Sequence, residues 1–169
     1  IPKTHLLGLS MGGMIAQEFA LRHADRLDRL VLAGTGAAPA RSAVDPIQIW
    51  SWVKANDTTG EVFGGQQFVS LFSTAFLRNH EAVGDTAELL ASNPYPMSPE
   101  AYGRQADAYR QFDALDRLGA VTAPTLVVVG EQDGIAPPAA MKRRVEAPRK
   151  AGTPVEYHEY EGLGHGFGL

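Results

Sequence analysis

The sequence predicts an α/β fold: a mostly parallel sheet with helices on both faces and an inserted helical segment. Three observations predict it. Near-continuous apolar runs stand at 6–9, 30–33 and 125–129. They lack the in–out alternation of a half-exposed strand, which suits a sheet covered on both sides. Each run ends in a turn containing small residues: Ser10 to Gly13, Gly34 to Gly36, and Gly130 to Gly134. Between the first two runs, Met14, Ile15, Phe19 and Ala20 or Leu21 recur at helical spacing,. Strand, helix, strand over this length is a βαβ unit, whose two strands run parallel.

Taken in order, the first strand is expected at 5–9, its helix at 14–23 and the second strand at 30–33. From about Pro39 to Ala120 no strand pattern occurs. Helices are expected at 47–53, bearing Trp50 and Trp52, and at 62–77, bearing Phe63, Phe68, Leu71, Phe72 and Phe76. A third is expected at 86–91. Ser98-Pro99-Glu100 reads as an N-cap followed by proline at the first helical position. The helix it opens carries Tyr102, Ala106, Tyr109 and Phe112. The sheet resumes at 125–129, after Pro124. A helix is expected at 139–150 despite Pro148. The stretch 155–160 mixes Val155 and Tyr157 with Glu156, His158 and Glu159, the pattern of a strand near a sheet edge,. The division is therefore a core segment at 1–38, a helical insertion at 39–119 and a second core segment at 120–169.

Composition narrows the partners. The chain has 169 residues, 44% hydrophobic and 20% charged, enough apolar material for one core,. A net charge of -4 and the lack of any basic run argue against nucleic acid or a membrane surface,. The absence of cysteine removes disulfides, thiolate metal sites and thiol catalysis, and fits a reducing cytoplasm,. No apolar run is long enough for a membrane-spanning helix. The chain opens at Ile1, close to its first strand, and ends at Leu169, soon after its last loop. Both ends read as cuts in a longer protein.

Gly8-Leu9-Ser10-Met11-Gly12 matches G-x-S-x-G between a strand and a helix,. Such a turn is tight enough to strain the serine and lift its hydroxyl clear of the sheet. Side chains at Gly8 and Gly12 are expected to collide there, and Gly13 lets the helix approach its strand. The helix N-terminus favours a developing oxyanion, with the Met11 N–H as one donor.

A serine hydroxyl needs a base within reach. Parallel sheets present function at the carboxyl ends of their strands. Asp133 follows the third apolar run, and His165 follows the last strand, in Gly162-Leu163-Gly164-His165-Gly166. The rivals fit less well. Glu131 shares the turn with Asp133, which is the better placed of the two. Asp107, Asp113 and Asp116 belong to a helix or its end. His5 and His158 lie in strands, His23 at a helix C-terminus and His80 after a helix. The candidate catalytic set is Ser10 as nucleophile, His165 as base and Asp133 as the group that orients it. No metal or organic cofactor is required. The imidazole must start neutral, so activity should rise with pH through its titration.

These residues resemble the α/β-hydrolase superfamily. The resemblance rests on Gly8 to Met14, Asp28 to Ala33, Ala123 to Asp133 and Gly164-His165, and it covers essentially the whole chain. It implies that the four strands are the fifth to eighth of an eight-stranded sheet, with the insertion in the place of the lid. It also implies that the loop giving the second oxyanion donor lies outside this chain. The first strand is then an open apolar edge, and the segment alone should be poorly soluble or inactive. The nearest likeness is to 3-oxoadipate enol-lactonase-like and non-haem haloperoxidase-like members. It implies a small-molecule acyl substrate, an ester or lactone, cleaved through an acyl-enzyme. Carbon–carbon bond hydrolases and perhydrolases of the same fold would use the same three residues. From another class, a non-catalytic binder of small ligands is the alternative. Serine at the elbow argues against epoxide hydrolases and haloalkane dehalogenases, which carry aspartate there. The aromatic residues of the insertion suggest either an apolar pocket or the insertion's own core. The oligomeric state is not encoded legibly.

Overall fold

The computed structural model describes residues 1–39, 46–57 and 59–167. Its order is β1 (Thr4–Leu9), α1 (Met11–Arg22), β2 (Leu27–Ala33), then five helices, then β3 and β4. The five helices are α2 (Pro46–Asn56), α3 (Glu61–Leu71), α4 (Thr74–Arg78), α5 (His80–Ala91) and α6 (Pro99–Gln111). A 3₁₀ turn at Leu115–Ala120 leads into β3 (Thr125–Gly130). After it come α7 (Pro138–Arg144), α8 (Glu146–Lys150) and β4 (Val155–Tyr160).

The strands form one sheet in the order β1-β2-β3-β4, and every neighbouring pair is parallel. Register aligns Leu6 with Leu30, Leu30 with Thr125, and Thr125 with Val155. Side chains two residues apart share a face, so Leu30, Leu32, Val127 and Val129 point the same way. This face holds the core: Ala16 and Ala20 of α1, Leu118, Met141 and Val145 pack with those strand residues. Helix α1 buries Gly13, Ala16, Gln17 and Ala20, the i, i+3, i+4, i+7 stripe of a helix lying on a sheet,.

The opposite face differs from the expectation of helices on both sides. There Leu7 and Leu9 are exposed, and Val31, Leu126 and Val128 are only half-buried. The apolar strand runs are thus those of a two-sided sheet, while the described residues cover one side. Strand β1 is an edge, as expected, and β4 is the other. Among the described residues no helix is long and apolar enough to cross a membrane.

Two helices expected as single are broken. The run 62–77 divides into α3 and α4, because Phe72 turns extended (φ -106°, ψ 152°) and Ser73 caps a new helix by accepting a hydrogen bond from the Phe76 N–H. The run 139–150 divides at Val145. Pro148 has no N–H to give to the carbonyl of residue 144 and crowds it. Helix α5 starts earlier than expected, at His80, because the Asn79 side chain caps it at Ala82 N–H. The cap expected at Ser98 is present, with its side chain accepting from Ala101 N–H ahead of Pro99. The 3₁₀ turn before β3 has no counterpart in the apolar pattern.

Glu18 on α1 ties the helix to that turn. It accepts from Arg22 at 3.0 Å and from the guanidinium of Arg117. The Arg117 hydrogen bond holds its carboxyl below the ordinary glutamate value. A depressed folded-state value stabilises above the unfolded value, roughly 4.3, and the contribution is lost as pH falls. We expect Glu18→Gln to lower stability at pH 7 by about 0.5 kcal/mol. Urea unfolding as a function of pH should show the gap closing below about pH 4. On the open edge, Leu7 is 65% exposed. Leu7→Lys should reduce concentration-dependent association of the chain in light scattering, because charge blunts an apolar strand edge.

Candidate active site

Ser10 sits between β1 and α1 with φ 52° and ψ -125°, a left-handed conformation that non-glycine residues rarely adopt,. Such strain costs about 1–3 kcal/mol and persists only where neighbours impose it. Here they do. The Ser10 N–H donates to Ala33 O at 2.9 Å, which extends the β1–β2 ladder by one step. The Gly13 N–H donates to Ser10 O at 2.9 Å, which starts the helix at once. Gly8 is required by space, since a Cβ there would lie 2.4 Å from Gly12 O. Gly13 is required too, because a Cβ would lie 2.3 Å from the Thr35 side chain. The steric reason expected for Gly12 is not borne out among the described residues, where a Cβ there meets nothing within 4 Å.

Ser10 occupies the N-cap position of α1, yet its side chain makes no cap hydrogen bond. Its hydroxyl turns to His165 instead, with Oγ 2.8 Å from Nε2. His165 Nδ1 lies 3.0 Å from Oδ1 and 2.9 Å from Oδ2 of Asp133. Carboxylate oxygens accept, so Nδ1 carries the proton and Nε2 is free to accept from the serine O–H. Asp133 is 2% and His165 4% exposed. The Asp133 carboxylate is fixed by two backbone donors of its own turn, Ile135 N–H at 2.9 Å and Ala136 N–H at 2.7 Å, both on Oδ1. The structure therefore joins all three predicted side chains in one hydrogen-bonded line. Met11 stands at the first helical position of α1, where N–H groups have no partner in the helix,.

The remaining candidates are elsewhere. His5 faces Asp28 at 3.3 Å on the sheet, His158 faces Glu156 at 3.6 Å on β4, and the His23 ring packs on Phe19. His80 is exposed at the start of α5. Asp107 pairs with Arg110, and Asp113 accepts from Leu115 N–H. Asp116 is exposed in the 3₁₀ turn. Glu131, the rejected neighbour of Asp133, accepts from Gly162 N–H at 3.1 Å and so anchors the loop that carries His165.

One site residue escaped the sequence reading. Gly34, with φ 47°, lies against the Asp133–His165 pair: a Cβ would be 3.2 Å from Asp133 Oδ2 and 3.4 Å from His165 Nδ1. Its only signal was the Gly-Thr-Gly break after β2. Tyr109 of α6 borders the cleft at Ser10, with Met11, Met14, Ile135 and Pro137. Of the aromatic residues considered for a pocket, it alone does so among the described residues. The others mostly pack together: Phe72 stacks on Phe76 at 4.2 Å, and burial pushes the Tyr102 phenol up to about 12 beside Phe63. Trp52 is 68% exposed. The cleft itself is narrow, about 30 Å³. An apolar groove of about 470 Å³ between α1 and α6 shares Met11, Met14 and Tyr109 with it and is also lined by Ile15, Phe19 and Phe112. Among the described residues no cluster of acidic or histidine side chains is arranged to hold a metal ion.

A family model described as alpha/beta hydrolase fold matches residues 1–168. The 2-hydroxy-6-oxononadienedioate/2-hydroxy-6-oxononatrienedioate hydrolase 2 of Pseudomonas putida is 30% identical, over 98% of this chain and 57% of its own length. The 3-oxoadipate enol-lactonase 2 of Acinetobacter baylyi is 24% identical, over 80% of this chain and 48% of its own. The solved structure of a thermophilic esterase from Thermogutta terrifontis superposes with a TM-score of 0.75 at 30% identity, over 97% of this chain and 58% of that one. The chain spans about half the length of the relatives it matches.

Gly34→Ala would place a methyl group 3.1 Å from the Phe167 ring and against the Asp133–His165 pair, at a left-handed φ. We expect a loss of about 1–2 kcal/mol in stability from the backbone alone. Urea unfolding measures it. An unchanged midpoint would mean that the backbone there relaxes freely.

Proposed function

The chain belongs to the alpha/beta hydrolase fold family, and we propose that it carries the catalytic triad of a serine hydrolase acting on a carboxylic ester or lactone. The observation that supports this most directly is the unbroken line Ser10 Oγ, His165 Nε2, His165 Nδ1, Asp133. In this reading Ser10 attacks the substrate carbonyl while His165 Nε2 takes its proton. Asp133 holds the imidazole in the required tautomer and stabilises the cation that forms. The alcohol leaves with the proton returned by His165, and an acyl group stays on Ser10. Water, deprotonated by the same imidazole, then releases the acid and restores the serine.

In this reading the Met11 N–H, at the N-terminal end of α1, donates to the carbonyl oxygen as it gains charge,. A second donor would come from outside the described residues. The narrow cleft fits a small reacting carbonyl, and the apolar groove beside it suits the hydrocarbon part of an acyl group. The enol-lactonase and esterase likenesses support oxygen esters. The 30% identity to the Pseudomonas putida hydrolase supports a second reading, carbon–carbon bond hydrolysis by the same three residues. A panel of 4-nitrophenyl esters, an enol-lactone and a vinylogous 1,5-diketone separates the two readings.

A fluorophosphonate probe tests the nucleophile without knowledge of the substrate. We expect covalent labelling of Ser10 in the complete natural polypeptide that carries this sequence, and none after Ser10→Ala. Asp133→Asn should slow ester turnover by about 10⁴-fold while leaving binding nearly intact, because the imidazole then holds the wrong tautomer. Equal labelling of the wild type and Ser10→Ala would rule the assignment out.

A further inference from the structure

The loop bearing His165 rests on the helical insertion as well as on the sheet. On the sheet side, Gln132 N–H donates to Leu163 O at 2.8 Å, and Gly162 N–H to the Glu131 carboxylate. On the insertion side, Gly166 N–H donates to Leu71 O at 2.8 Å. Leu71 is the last residue of α3, so its carbonyl lacks a partner within the helix,. Gly164 and Gly166 flank His165 and lie directly on this corner. A Cβ on Gly164 would be 2.6 Å from Ser73 N, and one on Gly166 would be 2.9 Å from the Phe72 ring. Finally, Thr74 N–H, at the first position of α4, donates to Gln132 Oε1 at 3.2 Å. Gln132 directly precedes the acid. The break between α3 and α4 is therefore the seat on which the base loop and the acid turn both rest.

We infer that this corner, Leu71 to Thr74, is a positioning element for the catalytic pair, with Gln132 as the positioning residue that clamps the acid turn to the insertion. Resting on the triad reading, this assigns the insertion a role in aligning His165 with Ser10, in addition to any role as a cover. The consequence is a specific signature. Loosening the clamp misaligns a base that acts on bound substrate, so it lowers kcat and spares KM. Loosening a mere cover would raise KM.

Thr74→Pro removes the donated N–H, along with an exposed threonine side chain. Proline is favoured at the first helical position, and Ser73 already has the extended conformation (φ -71°, ψ 160°) that a following proline requires,. Gln132→Met removes the acceptor at nearly constant shape. Both variants and their combination are made in the complete natural polypeptide. The readouts are the fluorophosphonate labelling rate at Ser10 and kcat and KM for 4-nitrophenyl acetate, with thermal unfolding as the check on folding. Each single variant should lower kcat and the labelling rate about 3- to 10-fold, the range for one lost hydrogen bond. KM should stay within about twofold, and the double variant should be no slower than the slower single one, since both remove the same bond. Either single variant alone suffices if the other fails to fold. Unchanged rates, a rise in KM with kcat intact, or effects that multiply in the double variant overturn the positioning role. Labelling that survives Ser10→Ala would instead overturn the triad reading itself, so the two failures are distinguishable.

Discussion

The site depends on hydrogen bonds that carry the parallel ladder one step past the ends of the strands. Ser10 N–H reaches Ala33 O, Gly34 N–H reaches Val128 O, and Glu131 N–H reaches Tyr160 O, each at 2.9 Å. Together they lock the first residue beyond β1, β2 and β3 to the neighbouring strand. In a parallel sheet the carboxyl ends lie along one rim, and these bonds fix the loops at that rim in a common register. The three side chains of the proposed triad come from positions 10, 133 and 165. They meet within hydrogen-bond distance because the strands that deliver them are in register.

The same bonds account for the strain at Ser10. The serine gives up the cap hydrogen bond its position would normally provide, worth about 0.5–2 kcal/mol, and holds a left-handed backbone in addition. Two backbone bonds and the bond to His165 offset this. The arrangement trades helix stability for a hydroxyl aimed away from the helix and towards the imidazole. Close packing does the rest. Gly13 admits Thr35 against α1, and Gly130 admits the backbone of Leu163 and Gly164, where a Cβ would lie 2.3 Å from Leu163 O. At Gly130 the acid turn and the base loop therefore meet backbone to backbone.

How much of this the sequence disclosed varies with the physics at each point. The first three strands were legible as near-continuous apolar runs, and α1 was legible from its helical spacing of apolar residues,. Ser10, Asp133 and His165 were legible because each follows a strand in a turn containing small residues, an apolar run for the first two and a mixed edge strand for His165. The break at Ser73 was not, because Phe68, Phe72 and Phe76 keep helical spacing straight through it. A cap and an extended Phe72 decide the matter there, helped by the carbonyl of Leu71 finding a partner 95 residues away, at Gly166. Gly34 was illegible because its role is steric and lies across the sheet. Gly12 was over-read: its place in the motif suggested crowding that the described residues do not supply. The division at Val145 could have been read from Pro148 had its missing N–H been given full weight.

The structure also separates two things that the fold normally presents together. The hydrogen-bonded line from Ser10 to Asp133 is complete within this chain, buried at Asp133 and His165, and braced from both the sheet and the insertion. The surfaces around it are not closed to the same degree. One face of the sheet shows Leu7 and Leu9 to solvent, and among the described residues β1 pairs with β2 alone and so is a sheet edge. Geometry at a strand-end rim is set locally, by ladder register and loop packing. Solubility is set globally, by the apolar area left in contact with water. A chain spanning about half the length of its relatives can therefore hold the groups of the proposed triad in line while its outer surfaces still lack cover. The proposed chemistry and the stability of the chain rest on different interactions, so a change at the β1 edge and a change at the α3–α4 corner should act independently.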